Sequence, residues 1–383
     1  MPAVSPDSSH CHRLALVGAV DPLLLDLVGL SLQGEDALVI AAQFRPEEGG
    51  YGAVHLTAVD PDAGLGSGES VAIDVPMSFA CQTCSLRDVL LAVAEDRANM
   101  EPVGATVVLL PPALELVHLV PRLAAEVERL DGVRLAGVAH VISTDTAVED
   151  LLFHRPLAER ALAAPGDERC TGEVHMVGLG YADLIIAVGA RGPGADLIEH
   201  LRADSALLVS GLDAPLLPEL LGIRHDAAVA CARVHPATMR AWGGPVSHGV
   251  RTLDLFSERP FHPGRLRSLV AELAGEGMCA RGCFWLPSRP GRVCAWEVAG
   301  GAISVADAGM WAEVPVLDDG NCRGSGLMEP RCHLIVTGIA DDEVCERTRR
   351  AFSQVLLRDD EMAEALSWAG VDDGLSDWFG ESA

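Results

Sequence analysis

The stretch Leu14-Ala15-Leu16-Val17-Gly18-Ala19-Val20-Asp21-Pro22-Leu23-Leu24 decides how this chain folds. Leu14 to Val17 is apolar on every side, as a strand covered on both faces must be. Pro22 to Leu32 then reads as a helix, with the proline in the first turn, where its missing N–H costs nothing. From here to about Ser210, short apolar runs alternate with longer amphipathic segments, which is the pattern of βα units around a mostly parallel sheet. The remaining expected strands are Ala37–Ala42, Val54–Val59, Val71–Val75, Ala105–Leu110, Leu135–Ser143, Asp183–Val188 and Ala206–Ser210. The helices between them are Leu86–Asp96, Leu114–Leu130, Thr171–Tyr181 and Ala195–Leu201.

Residues 13–221 therefore read as one α/β domain and residues 1–12 as a disordered start. Between 222 and 250 the apolar periodicity fades and Pro236, Gly243, Gly244, Pro245 and Gly249 punctuate the chain, so this is expected to be a linker, with Trp242 partly ordering it. Residues 251–358 change character. Strands are expected at Arg251–Phe256, Cys279–Leu286, Val293–Val298, Ala302–Ala306 and Cys332–Thr337, and helices at Pro263–Leu273 and Asp341–Leu356, separated by an irregular segment from Trp311 to Pro330. That is a small α+β domain. Residues 359–383 form an acidic tail, with Trp368, Trp378 and Phe379 as anchors for another surface.

With 383 residues and 49% apolar content, the chain can bury two cores. Eleven cysteines without regular spacing do not make a secreted disulfide framework, so reduced thiols are expected. No apolar run reaches the roughly 18 residues of a membrane span, and the first residues lack a signal-peptide pattern, which places the chain in the cytoplasm. The net charge of −27 opposes a broad nucleic-acid surface and favours basic proteins as partners. The chain has no lysine. Every mechanism that needs a lysine ammonium is excluded.

The turn after the first strand stands where a phosphate-binding loop would open such a fold. Of that pattern only Gly18 remains. Asp21 would repel phosphate and Pro22 has no N–H to give it. After Asp183–Val188, where a guanine reader would follow, Val188, Gly189 and Arg191 can make none of its contacts. Val107-Val108-Leu109-Leu110-Pro111-Pro112 lacks the acid that would hold magnesium. Gly189, Gly192 and Gly194 have the wrong spacing for a dinucleotide loop, and Pro193 interrupts them, so they read as a turn.

In Ser78-Phe79-Ala80-Cys81-Gln82-Thr83-Cys84-Ser85-Leu86-Arg87 the C-x-x-C spacing lets two thiolates share a zinc ion or form a disulfide. Ser85 is expected to cap the helix that follows and Asp88 to occupy its first turn, which sets both thiols just ahead of the helix. Cys279 and Cys283 share one face of a strand and read as core. His10-Cys11-His12 could hold a metal or simply fray at the terminus.

Several of these segments resemble the CobW-like family of metal-homeostasis GTPases. The likeness is carried by Arg259-Pro260-Phe261-His262-Pro263 with Arg265-Leu266, by Arg281-Gly282-Cys283-Phe284-Trp285-Leu286, by Trp296 with Ala299-Gly300-Gly301, and by Val336-Thr337-Gly338. Ala182-Asp183 is similar to the family's approach to its guanine-reading strand, and the thiol loop to its Cys-x-Cys-Cys loop, with Thr83 in place of the middle cysteine. The resemblance implies a P-loop-GTPase-like sheet flanked by helices, followed by a small α+β CobW C-terminal domain. Cys81-Gln82-Thr83-Cys84-Ser85-Leu86-Arg87 and the acidic Leu357-Arg358-Asp359-Asp360-Glu361-Met362 are similar to one actinobacterial branch, described as recruiting a ribosome hibernation factor to the small subunit under zinc starvation.

The expectation is thus a non-catalytic adaptor, a pseudo-GTPase. It would dock on the small ribosomal subunit or its hibernation factor, contact basic ribosomal proteins rather than bare RNA, and have no membrane partner. Cys81 and Cys84 would bind zinc weakly, with a third thiolate missing, and GTP with Mg²⁺ would be left aside. The alternative is a zinc metallochaperone with residual GTP hydrolysis.

Overall fold

The computed structural model describes residues 11–34, 37–47, 50–59, 72–163, 166–314 and 328–380. The first domain is built on eight strands: β1 (His12–Ala19), β2 (Ala37–Arg45), β3 (Ala53–Ala58), β4 (Ala72–Pro76), β5 (Ala105–Leu109), β6 (Val133–Ser143), β7 (Leu184–Val188) and β8 (Leu207–Ser210). They form one sheet in the order β4-β3-β2-β5-β1-β6-β7-β8. From β2 through β8 every pairing is parallel, and β3 and β4 extend one edge as antiparallel neighbours. The mostly parallel sheet expected from the apolar runs is present, with an antiparallel edge.

Side chains of β1 alternate between two cores. Leu14 and Leu16 join one cluster, while Ala15, Val17 and Ala19 join the other, as the two-residue period of a strand demands. Helices α1 (Pro22–Ser31), α2 (Gln82–Met100), α3 (Leu116–Val127), α4 (Ala147–Leu152), α5 (Thr171–Tyr181), α6 (Pro193–Leu201) and α7 (Leu216–Gly222) cover the two faces. Leu116, Leu119, Val120, Leu123 and Val127 of α3 recur at helical spacing and are all buried, each contributing about 1.5–3 kcal/mol of hydrophobic stabilisation.

The linker expected between 222 and 250 is partly helical. α8 (Ala227–Val234) occupies it, capped by Asp226, whose carboxylate accepts from the N–H groups of Ala228 and Val229. Trp242 is tied down as expected, with its indole N–H donating to Glu199 O at 2.8 Å and Arg202 stacked over the ring.

The second domain contains β9 (Val250–Ser257), α9 (Pro263–Ala274), β10 (Met278–Phe284), β11 (Arg292–Ala299), β12 (Ala302–Met310), β13 (Cys332–Ile339) and α10 (Asp342–Val355). Its antiparallel sheet runs β12-β11-β10-β13-β9. One face packs on α9 and α10 and the other on α5 and α6 of the first domain. The two domains touch closely at the turn between β11 and β12. Gly300, with φ of +54°, donates its N–H to Leu151 O, and a Cβ on Gly172 of α5 would lie 2.6 Å from that nitrogen. No side chain fits at either place.

Two expectations need correction. His12 does not fray: it begins β1 fully buried, with Nδ1 2.9 Å from Glu101 O and Nε2 2.9 Å from Thr106 Oγ1. His10 lies outside the described residues, as does most of the irregular segment between Trp311 and Pro330. Nor does the acidic tail reach for another surface, because it folds back onto the second domain. Glu361 pairs with Arg265 at 2.7 Å, Asp373 with Arg289, and Leu375 is fully buried while Trp378 and Phe379 pack beside it. No helix among the described residues is long and apolar enough to cross a membrane.

Candidate functional site

Phosphate binding at the head of such a fold uses free N–H groups at the first helix, presented by a roomy glycine loop. Here only Val20 and Asp21 separate β1 from α1. Oδ1 of Asp21 accepts from Leu23 N at 2.9 Å and Leu24 N at 3.2 Å. The chain's own carboxylate therefore takes the groups a phosphate would need, and Pro22 removes another. Gly18 lies within β1, where an added Cβ would meet Leu116 Cδ2 at 3.2 Å. The base-reading position is closed in the same way. Val188 ends β7, Gly189 turns with φ of +129° against the side chains of Thr144 and Asp145, and Ala190 N donates to Asp145 Oδ1 at 3.2 Å. Arg191 points to solvent beyond them.

The thiol loop is built differently from the sequence expectation. The helix starts one turn earlier, so Cys81, and not Ser85, is the N-cap of α2, and its Sγ accepts from Cys84 N at 3.3 Å. Cys84 sits in the first turn. Ser85 is buried inside the helix with its hydroxyl unpartnered, and Asp88, in the second turn, pairs with Arg87 at 2.6 Å.

This geometry makes the two sulfurs unequal. The Cys81 thiol is lowered from its ordinary value by hydrogen bonds from the Cys84 side chain and backbone, helped by the charges of Arg122 and Arg87. The same hydrogen bond raises Cys84. Of the two sulfurs, Cys81 is therefore the one whose thiolate is favoured, and Cys84 the one whose thiol is favoured. Both open on a cleft of about 270 Å³ that also meets Thr83, Arg87, His118 and Arg122. Its far wall is α3, where Pro121 cannot donate to the carbonyl of Val117.

A chain of ionic contacts leads away from the cleft. His118 Nε2 lies 3.1 Å from Glu115 Oε2, Glu115 Oε1 accepts from Arg169 Nη1 at 2.6 Å, and Arg169 also pairs with Asp167 at 2.7 Å. The Glu115 hydrogen bond raises His118. Burial alone would raise Glu115, but the His118 and Arg169 hydrogen bonds outweigh it and hold the carboxyl low. His118 and Thr83 also line the neighbouring cleft of about 920 Å³, where Pro111 and Pro112 follow β5. The sequence reading missed Glu115 and His118, although their i,i+3 spacing at a helix start was the available signal.

Residues 250–356 match the profile of the cobalamin synthesis protein CobW C-terminal domain. The chain carries a CobW C-terminal domain. It is 28% identical over 343 residues to the zinc chaperone Rv0106 of Mycobacterium tuberculosis (strain ATCC 25618 / H37Rv), covering 82% of this chain and 83% of that protein. The uncharacterized protein Mb0109 of Mycobacterium bovis matches to the same extent. Among solved structures, the Zn(II)-bound YjiA GTPase from E. coli aligns over 91% of this chain and 99% of its own, with a TM-score of 0.34 and 12% identity.

The donor set limits what the loop could offer a metal. Cys81 and Cys84 could fill at most two of the four positions of a tetrahedral zinc, and no group of three or more His, Cys, Asp or Glu stands ready for a metal among the described residues. Cys279 and Cys283 are buried in β10 with their thiols pushed up to about 12 by burial, which suits core packing and not metal exchange.

Proposed function

We propose that this chain handles zinc without GTP: Cys81 and Cys84 offer an open two-thiol site to zinc as cargo, on a scaffold whose phosphate position is shut. The carboxylate of Asp21 on the first N–H groups of α1 carries this reading, because the N–H groups that would receive a phosphate at the head of α1 are already taken by it. Zinc is favoured by the depressed Cys81 thiol and by the relative named as a zinc chaperone. Two thiolates hold the ion loosely and leave two positions for a receiving molecule, so release needs no hydrolysis.

Two titrations test it. Purified protein should bind zinc in competition with a chromophoric chelator, and Cys81→Ser should abolish that binding. A fluorescent GTP analogue should show no saturable signal with or without zinc. Saturable GTP binding would overturn the closed-loop reading, and undiminished zinc binding in Cys81→Ser would remove the thiol site.

The net charge of −27 supports a second reading, in which the chain docks on basic proteins of the small ribosomal subunit, or on a hibernation factor, when zinc is scarce. It should then co-sediment with ribosomal particles from zinc-limited cells and dissociate as salt is raised. Recovery in the ribosome-free fraction alone would exclude it.

A further inference from the structure

A cavity of about 340 Å³ opens at the junction of the two domains, away from both the thiol loop and α1. We propose that it binds a small phosphate-bearing anion, held by Arg233, Arg240 and Arg281. In a chain of net charge −27, three arginines line this one concavity; Asp183 pairs with Arg233 and Asp204 stands at the mouth, so the free positive charge comes mainly from Arg281 and Arg240.

Each arginine reaches the cavity from a different element. Arg281 leaves β10 and crosses to the first domain, where Nη1 donates to Met176 O at 3.4 Å and Nη2 to the Leu201 carbonyl. Gly180 makes room for it, since a Cβ there would lie 2.8 Å from that Nη1. Carbonyl acceptors orient the guanidinium without cancelling its charge. Its cross-strand partner Glu297 faces it, but burial pushes that carboxyl up to about 7, so it offsets part of the charge near neutral pH.

Arg233 rises from α8. Its two Nη atoms are spent on Asp183 and on the carbonyls of Ala182 and Tyr181, while Nε is buried without a partner. Arg240 stands at the exposed rim and makes no hydrogen bond or ion pair among the described residues. The opposing carboxylate at the mouth is Asp204, whose Oδ1 accepts from Ser205 N at 2.8 Å.

The geometry selects the ligand class. A planar carboxylate presents two oxygens and suits a single guanidinium fork, whereas a tetrahedral phosphate offers oxygens in three directions. The volume sits at the low end of the roughly 300–1,000 Å³ of small-molecule sites, which fits a compact metabolite and not a polymer strand. Bound there, the anion would join α8 to β10 and so tie the CobW C-terminal domain to the first domain.

Calorimetric titration of the full chain with inorganic phosphate, pyrophosphate and adenosine monophosphate tests this. At low salt at least one should bind saturably. Arg240→Ala, a rim change that leaves the fold intact, should weaken it about tenfold or more. Arg191→Ala, which removes the exposed arginine at the closed base-reading turn, should leave binding unchanged. Pyrophosphate binding as well as the nucleotide would mark an inorganic ligand, and preference for the nucleotide would mark a phosphate ester; either supports the site. Absence of saturable heat with all three, equal binding by Arg240→Ala, or loss in Arg191→Ala would overturn it.

Discussion

Asp183→Ala should cost about 3–5 kcal/mol of folding free energy, more than any substitution in the thiol loop. Asp183 is 8% exposed, and both of its oxygens are committed. Oδ2 accepts from His225 Nδ1 at 2.7 Å and Val138 N at 3.1 Å, and Oδ1 accepts from Arg233 Nη2 at 2.9 Å. Burial alone would raise this carboxyl, but the hydrogen bonds of His225 and Arg233 outweigh it and hold the group below its ordinary value. Removing the carboxylate leaves a guanidinium, an imidazole N–H and a backbone N–H without their acceptor in a desolvated place. At roughly 2–4 °C per kcal/mol for a domain of this size, the melting temperature should fall by about 6–20 °C. Asp183→Asn should recover part of the loss, because it keeps one acceptor. A fall below about 1 kcal/mol in urea titrations would show that the network is not what holds α8 to the sheet. Asp21→Ala removes only a helix cap and should cost about 1 kcal/mol.

The contrast between these two aspartates shows what the sequence could carry. The strands were legible because β1, β5 and β7 are apolar on both faces, a pattern few other structures satisfy. The small second domain was legible by a different pattern, through alternating runs and a proline-led helix. Asp21 was recognisable as hostile to phosphate, but its use as the cap that consumes the phosphate's own N–H groups is a matter of two distances. Cap preference ranks serine high and does not rank cysteine among its favoured residues, so Ser85 drew the start of α2 one turn too late. The helix begins at Gln82 because that register turns Ser85, Leu86 and Leu90 to the core. The destination of Leu375, Trp378 and Phe379 could not be read from the tail at all, since nothing local distinguishes an anchor on the chain's own surface from one on a partner. Arg233, Arg240 and Arg281 are 48 positions apart from first to last, and only the docking of the two domains brings them together.

Acid should destabilise the protein before most of its carboxylates protonate. His140 and His175 are 2% and 3% exposed, with Nε2 of the first 2.9 Å from Nδ1 of the second. Gly178 of α5 lies flat on the His140 ring, where a Cβ would come within 2.4 Å. Burial holds His140 well below its ordinary value of 6.5, with the His175 charge adding to the effect. It brings His175 down to about 3, with Arg160 contributing. The folded protein keeps both rings neutral while the unfolded chain protonates them near 6.5. Their contribution is therefore complete above about pH 6.5 and is lost as pH falls toward the folded values. Each ring costs about 1.4 kcal/mol per pH unit, so the pair should remove roughly 4 kcal/mol by about pH 5. His12, lowered mainly by burial, adds in the same direction, whereas Glu297, pushed up to about 7 by burial, takes up its proton in the folded protein across the same interval and opposes it. His118, raised by Glu115, opposes it, but its exposed side chain makes that term small. Urea midpoints between about pH 7.5 and about pH 5 should fall, and that fall should be reduced or abolished in a His140→Gln, His175→Gln double variant. A stability that stays level across that interval would mean that the two rings accept protons in place, and that the packing of α5 on β6 yields to make room for water.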